Sequence, residues 1–384
     1  MRTKLLTVLP LLTLSLAPWV SQAELKPEPI PNVATLPATY PDSWIFAHDV
    51  NFNAMIAGKI AIIDLAATTH EYKGAIDASQ MAAFVAGKSL PTLYVAESFY
   101  ARGTKGERTD VISLYNKSSL AKTGEVILPK KNRAQMVTNK FMLQLVNDEK
   151  YLLIYAFAPA SSVIVMDTQT NKLVSEINIA GCSMIYPTGK IGFSSLCGDG
   201  SMKAVKMDAQ GQESERFDLA PFFNIDDDPL FDKPVYVGGT ALFFSYKGKV
   251  QPIDLASAKP KLQAQWSLVS KEEEKQNWRP GGWQIATADN RKFFYIIMHK
   301  DGYNGSHKFG GEEVWVFDAI TQQRVKRIAL KNNAFSIEVT QSEQPFLAVT
   351  NTDMGLDIYT TDGEFIRYVN VGDGAMPIVL HSGR

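Results

Sequence analysis

One unit recurs along this chain: a short β-branched strand, a turn that opens on Asp or a similar residue and contains Thr, Ser or Gly, then a second strand. The copies are "IAIIDLAATTHEY" at Asp64, "VISLYNKSSLAKTGEVIL" at Asn116, "VIVMDTQTNKLVSEINI" at Asp167 and "AVKMDAQGQESERFDL" at Asp208. They continue with "VQPIDLASAKPKLQAQW" at Asp254, "VWVFDAITQQRVKRIAL" at Asp318 and "LDIYTTDGEFIRYV" at Thr361. Asp and Asn side chains bond the backbone two residues on, and Thr and Gly complete a tight hairpin, so each copy reads as the outer hairpin of a blade. Successive turn residues lie 41 to 64 positions apart, near the period of roughly 40 to 50 expected of four-stranded propeller blades. The expectation is an all-β, seven-bladed β-propeller over residues 44–384, with an insertion where the spacing is longest. Strands rich in β-branched and aromatic residues, such as "LYVAES", "YLLIYAF", "ALFFSY" and "KFFYIIM", fill the intervals and suit the inner positions of blades. One helix is expected, in "SLVSKEEEKQNW", with Ser270 as its cap.

The start of the chain bears on compartment. Arg2 and Lys4 precede an apolar run from Leu5 to Val20, followed by Ser21, Gln22 and Ala23. Residues 1–23 therefore read as a signal peptide cut after Ala23; the run is shorter than the roughly 20 residues a membrane span requires and is broken by Pro10 and Pro18. Residues 24–43 carry five prolines and read as an extended N-terminal arm. The balance of 39 basic against 40 acidic residues provides no field for nucleic acid or an anionic membrane. In an exported chain the two cysteines, Cys182 and Cys197, read as a disulfide across a hairpin or between adjacent strands, since no CxxC spacing or neighbouring histidine favours redox or metal chemistry.

Catalytic signatures are absent from the sequence: there is no GxSxG elbow, HExxH, P-loop or dinucleotide fingerprint. His299 and His307 flank "KDGYNGS", but their spacing fits no standard metal motif. Asp226, Asp227 and Asp228 could offer oxygen ligands to calcium, although a solvated turn explains them better. The richest loops are "RGTKGERTD", "NWRPGGWQ" and "HKDGYNGSHKFGGEEVW", which join Arg, Lys, Trp or Tyr to glycines. Such residues are enriched at protein interfaces, and the competing reading is a set of loops held by local hydrogen bonds.

Those loops, with "SFYARGTKGERTDVISLYN", "GCSMIYP", "SLCGDGSM" and the early "HDVNFNAMIAGKIAIID", run in order from about Trp44 to the C-terminus. Together they resemble the heavy chain of the tryptophan tryptophylquinone amine dehydrogenases, a family that includes methylamine and aromatic amine dehydrogenases. The resemblance implies a periplasmic propeller without a cofactor of its own, paired with a small disulfide-rich light chain in an assembly of two heavy and two light chains. The quinone then forms from two light-chain tryptophans, primary amines are oxidised to aldehyde and ammonia, and electrons pass to a blue copper protein of amicyanin or azurin type. No catalytic residue and no metal is expected in this chain. Phe52 matches the family's substrate-channel phenylalanine, and Cys182 and Cys197 match its heavy-chain disulfide. Arg102, Lys105, Arg108, Trp278, Arg279 and Trp283 are the candidate light-chain interface, with Arg108 and Asp110 expected to pair and stiffen their loop.

The resemblance leaves open whether methylamine or an aromatic amine is preferred. A stand-alone binding propeller without a light chain is the alternative from another functional class. A lactonase-like hydrolase would need acidic or histidine ligands converging on the central channel, which the sparse histidines disfavour.

Overall fold

The computed structural model describes residues 34–50, 52 and 58–382; the signal-peptide reading and the first half of the proposed arm lie outside them. The recurring turns close outer hairpins, as their chemistry requires. The Asp64 carboxylate accepts from the amide of Ala66 (3.0 Å), Asn116 from Ser118 and Ser119, Asp167 from Gln169 and Thr170, and Asp208 from Gln210 and Gln212. Asp254 accepts from Ala256, and Asp318 from Ile320 and Thr321. In the last copy the turn residue is Thr360 rather than Thr361: the Thr360 hydroxyl accepts from the Glu364 amide at 3.1 Å.

The strands form an antiparallel propeller whose chain ends meet in one sheet. The last strand, Pro377–Ser382, pairs with the first, Trp44–Asp49, which continues to Gly58–Asp64 and Tyr72–Ala78. Three further four-stranded sheets follow, from Ala83–Ala86 to Lys122–Leu128, from Leu143–Val146 to Lys172–Asn178, and from Cys182–Pro187 to Glu213–Leu219. A five-stranded sheet then runs from Val235–Val237 to Trp266–Ser267, its outer edge split between two short strands. Leading strands of neighbouring sheets touch one another around the ring.

The expectation of seven blades is corrected here. Among the described residues five sheets are of blade size, and the remaining strands form one continuous eight-stranded sheet. The cause is a single 17-residue strand, Gln323–Val339, whose first part pairs with Gly311–Asp318 and whose second part pairs with Phe346–Asn351. The backbone stays extended from one ladder to the next, so counting turns overcounts sheets.

Packing follows a gradient from the axis outward. Strands such as Tyr151–Ala156 and Trp44–Asp49 are buried at every position, whereas the outer Glu213–Leu219 is mostly exposed. The inward side chains of adjacent sheets interlock, as where Tyr186 meets Phe243 edge to face (5.0 Å), and within one sheet Phe294 stacks on its cross-strand neighbour Phe317 (5.2 Å); each such buried aromatic contributes roughly 1.5–3 kcal/mol. The body extends before Trp44: Tyr40 is buried, donates to the Lys117 carbonyl (2.6 Å) and packs on Trp44, so the end of the expected arm belongs to the core. The expected helix is present over Lys271–Lys275, with Ser270 and Glu273 forming a capping box. Between the second and third sheets, the Glu149 carboxylate accepts from the amides of Lys88, Ser89 and Leu90, reached by three consecutive left-handed residues, Asn147, Asp148 and Glu149. Among the described residues no helix is long and apolar enough to cross a membrane.

Cys182 and Cys197 sit directly opposite on neighbouring strands and form a disulfide. Its sequence separation is 15 residues. Replacing both cysteines by serine is expected to lower unfolding stability by about 3 kcal/mol in denaturant titrations, the loop-closure value; an unchanged midpoint would show that the strand pairing alone fixes this hairpin.

His48 is fully buried with neither ring nitrogen hydrogen-bonded, and burial pushes its pKa down to about 3. Burial also holds His381 well below its ordinary value, with Lys140 and His48 adding to the effect. The unfolded chain takes up these protons near pH 6.5, the folded chain only at lower pH, so their contribution to stability is complete above about pH 6.5 and declines as pH falls toward 3. The melting temperature is expected to drop between pH 7 and 5, and to drop less in His48→Leu; parallel curves for the two proteins would contradict this.

Candidate partner-binding face and central cavity

Because strands alternate in direction, the links between a sheet's second and third strands and the links from one sheet to the next emerge on the same face, and the Asp turns emerge on the other. The loops singled out by composition all fall on the first face. Backbone bonds tie them together: Met81 donates to Val50, Val50 to Met376, Gly282 to His307 and Trp283 to Phe335. Phe52, Phe99, Met136, Phe157, Ile225, Tyr303 and Phe309 all lie on these loops with 39% to 65% of their surface exposed. Unpartnered apolar side chains gathered on one rim are the mark of a docking surface.

Phe52 occupies a turn at this face and is 39% exposed. Arg102 and Lys105 are exposed and face each other across a hairpin tip. Arg108 reaches back along the same hairpin and grips Asp110 with Nε (2.6 Å) and Nη2 (2.9 Å). The fully buried Asp110 carboxylate also accepts from the Ser98 hydroxyl (2.6 Å) and the Arg133 amide (2.9 Å). Arg133 is buried beside it, donates through Nε to Ser98 (3.0 Å), and leaves Nη2 without a partner. Burial pushes the Arg133 guanidinium down to about 10, against the opposing pull of Asp110. The paired Arg108 and Asp110 were legible two residues apart; Arg133, 23 residues beyond Asp110, was not.

The tryptophans divide. Trp278 is buried against Trp315 (5.2 Å), with the Arg327 guanidinium over both rings at 4.6 and 4.8 Å. Arg324 and Arg327 are themselves paired with Glu273 of the short helix, so Trp278 is accounted for by packing within this chain. Trp283 instead stands half-buried at the axis, donates to the Thr138 carbonyl (2.8 Å) and lies under the Lys233 ammonium at 4.0 Å.

Two hollows open among these residues. A groove of about 530 Å³ is lined by Asp226, Asp227, Tyr246, Arg279, Tyr303 and His307, so three of the sequence-selected loops meet in it. Arg279 has no ion pair or side-chain hydrogen bond among the described residues, and its stem is pressed against Gly302, where a Cβ would lie 2.6 Å from Arg279 Cδ. His307 packs against Tyr246 (4.2 Å), and burial lowers its pKa. The acidic stretch forms a turn around Asn224, whose side-chain oxygen accepts from Asp226 and Asp227. Among the described residues no group of three or more His, Cys, Asp or Glu is placed to hold a metal.

The second hollow, about 320 Å³, lies on the axis between Phe141, Val235, Tyr236, Ala286 and Val379, with Lys140, Lys233, Trp283, Gln284 and Glu338 in its wall. Sequence reasoning found only Trp283 here; Lys140 and Glu338 meet at 2.6 Å across 198 residues, a separation that leaves no local signal.

The sequence model described as methylamine dehydrogenase heavy chain matches residues 46–381. The methylamine dehydrogenase heavy chain of Methylorubrum extorquens is 28% identical over 75% of this chain and 70% of its own length. That of Paracoccus versutus is 29% identical over 74% of this chain and 68% of its own length. Among solved structures, a Lactobacillus plantarum protein superposes with a TM-score of 0.59 at 14% identity, covering 88% of this chain and 98% of that one, a likeness of fold alone.

Asp110→Ala removes the carboxylate that both Arg108 and Arg133 require. A loss of roughly 3–5 kcal/mol in unfolding free energy is expected, the usual result of stranding a buried charge; a loss below about 1 kcal/mol would mean that water replaces the carboxylate at no cost.

Proposed function

Since the chain belongs to the methylamine dehydrogenase heavy chain family, we propose that it is the cofactor-free heavy subunit of a periplasmic amine dehydrogenase. In this reading it docks a small disulfide-rich light chain, in an assembly of two heavy and two light chains. The complex oxidises a primary amine to aldehyde and ammonia and passes the electrons to a blue copper protein. A tryptophan tryptophylquinone on the light chain supplies the carbonyl chemistry, and this chain supplies surface and shape.

The observation that carries the proposal is the family match over residues 46–381. The molecule gives it physical support, because the exposed aromatic and methionine side chains cluster on one face, next to the rigid Arg108–Asp110 hairpin. Apolar anchors with a charged rim are what a subunit interface needs. Arg102, Lys105, Arg279 and the Arg108 hairpin would form that rim, and Trp283 would stand near the axis. Phe52 would wall the path of the amine, excluding water and selecting size. Trp278, buried in its arginine stack, would shape the surface from beneath.

Isolation of this protein from its native source on amine-containing medium tests the reading. A small partner should copurify, with a visible quinone absorption that is bleached by a primary amine. A colourless single chain from cells growing on amines would overturn the proposal in favour of a stand-alone binding propeller.

A further inference from the structure

The axial cavity is rich in hydrogen-bond donors and poor in free acceptors. Its side-chain acceptors are committed: Glu338 Oε2 takes Lys140, Gln284 and Thr287, and Oε1 takes the Ser382 amide. Gln284 Oε1 takes the Leu380 amide, Asn139 Oδ1 the Phe141 amide, and Thr287 Oγ1 the Val339 amide. Donors remain over. Each lysine ammonium carries three protons; Lys140 spends one on Glu338, and Lys233 lies 3.1 Å from Asp232 while its other side faces the Trp283 ring.

Charge points the same way. Lys140 and the buried Glu338 balance one another, whereas the carboxylate beside Lys233 is the more exposed partner, with 34% of its side chain in solvent against 15% for the lysine. Water screens the exposed anion more than the half-enclosed cation, which leaves a positive potential in the hollow. The other walls, Phe141, Val235, Ala286 and Val379, are apolar. A volume of about 320 Å³ lies at the lower end of small-molecule sites.

We infer that the axial cavity is a binding site for a small carboxylate with a flat apolar body, its anionic end meeting the ammonium groups of Lys140 and Lys233 and its body lying against Phe141 and Val235. The site shares Trp283 with the candidate interface but lies inside the ring, and it does not depend on the amine dehydrogenase reading. A primary ammonium of the same shape is rejected, since it would bring a third cation beside Lys140 and Lys233.

Titration calorimetry on the full chain, or on its complex where a partner copurifies, decides this with phenylacetate as the probe and 2-phenylethylamine as the matched cation. Phenylacetate is expected to bind at about millimolar concentration or below, and the amine is expected to give no heat at the same concentration. Lys233→Met keeps the stem but removes the charge, and should weaken phenylacetate by about tenfold or more. Ala286→Leu fills the cavity without touching a charge and should weaken it comparably, which keeps the test decisive if Lys233→Met folds poorly. A silent phenylacetate titration, equal binding of the amine, or unchanged affinity in the folded variants would overturn the inference.

Discussion

Ring closure is the constraint on which the remaining geometry rests. The strand Pro377–Ser382 pairs with Trp44–Asp49, and so joins the two ends of a chain whose other sheets are built from consecutive segments. It is held on its second side by buried polar clasps: Ser336 Oγ donates to the Ile378 carbonyl (2.7 Å), Thr350 Oγ1 to the Pro377 carbonyl (2.6 Å), and the Leu380 amide to Gln284. Unsatisfied, these groups would each oppose folding; satisfied, they fix one register. Val379 and Ser382 of the same strand also line the axial cavity. Closure of the ring and formation of the cavity are therefore one event.

The two faces of the molecule do different work. The Asp turns lie on one side and are spent on local hydrogen bonds, with Ile320 of the Asp318 turn an exposed exception. The other side carries longer links, the exposed aromatic side chains, the groove at Arg279 and the Arg108–Asp110–Arg133 cluster. This segregation follows from strand alternation alone, which sends every loop of a given class to one face. Function then needs only one class of loop to diverge.

What could be read from the sequence was what is encoded locally. Asp64, Asn116, Asp167, Asp208, Asp254 and Asp318 bond to amides within four residues, and the Ser270 cap within three, so short stretches suffice to reveal them. The Cys182–Cys197 pair and the Arg108–Asp110 pair were legible for the same reason. The number of separate sheets was not, because it depends on whether Leu330 to Asn333 continue a ladder, and no turn residue marks the difference. Trp278 and Trp283 looked alike five positions apart, yet one lies under the Arg327 guanidinium and the other faces the axis. The axial site was hidden most deeply: Lys140, Lys233, Trp283 and Glu338 come from four distant segments, and only the closed ring brings them together.

The continuous strand Gln323–Val339 has a mechanical consequence. Elsewhere, neighbouring sheets are joined by links and side-chain packing, with local pins such as Glu149 on the amides of Lys88, Ser89 and Leu90. Along this one strand the extended backbone carries both ladders, Ala334 being paired with Gly311 on one side and Asn351 on the other. A ring with one welded joint does not flex evenly. The other joints offer the least resistance to twisting between sheets, and the sector carrying the Trp278 stack, spanned by one strand, is the stiff arc of the face that bears the longer links.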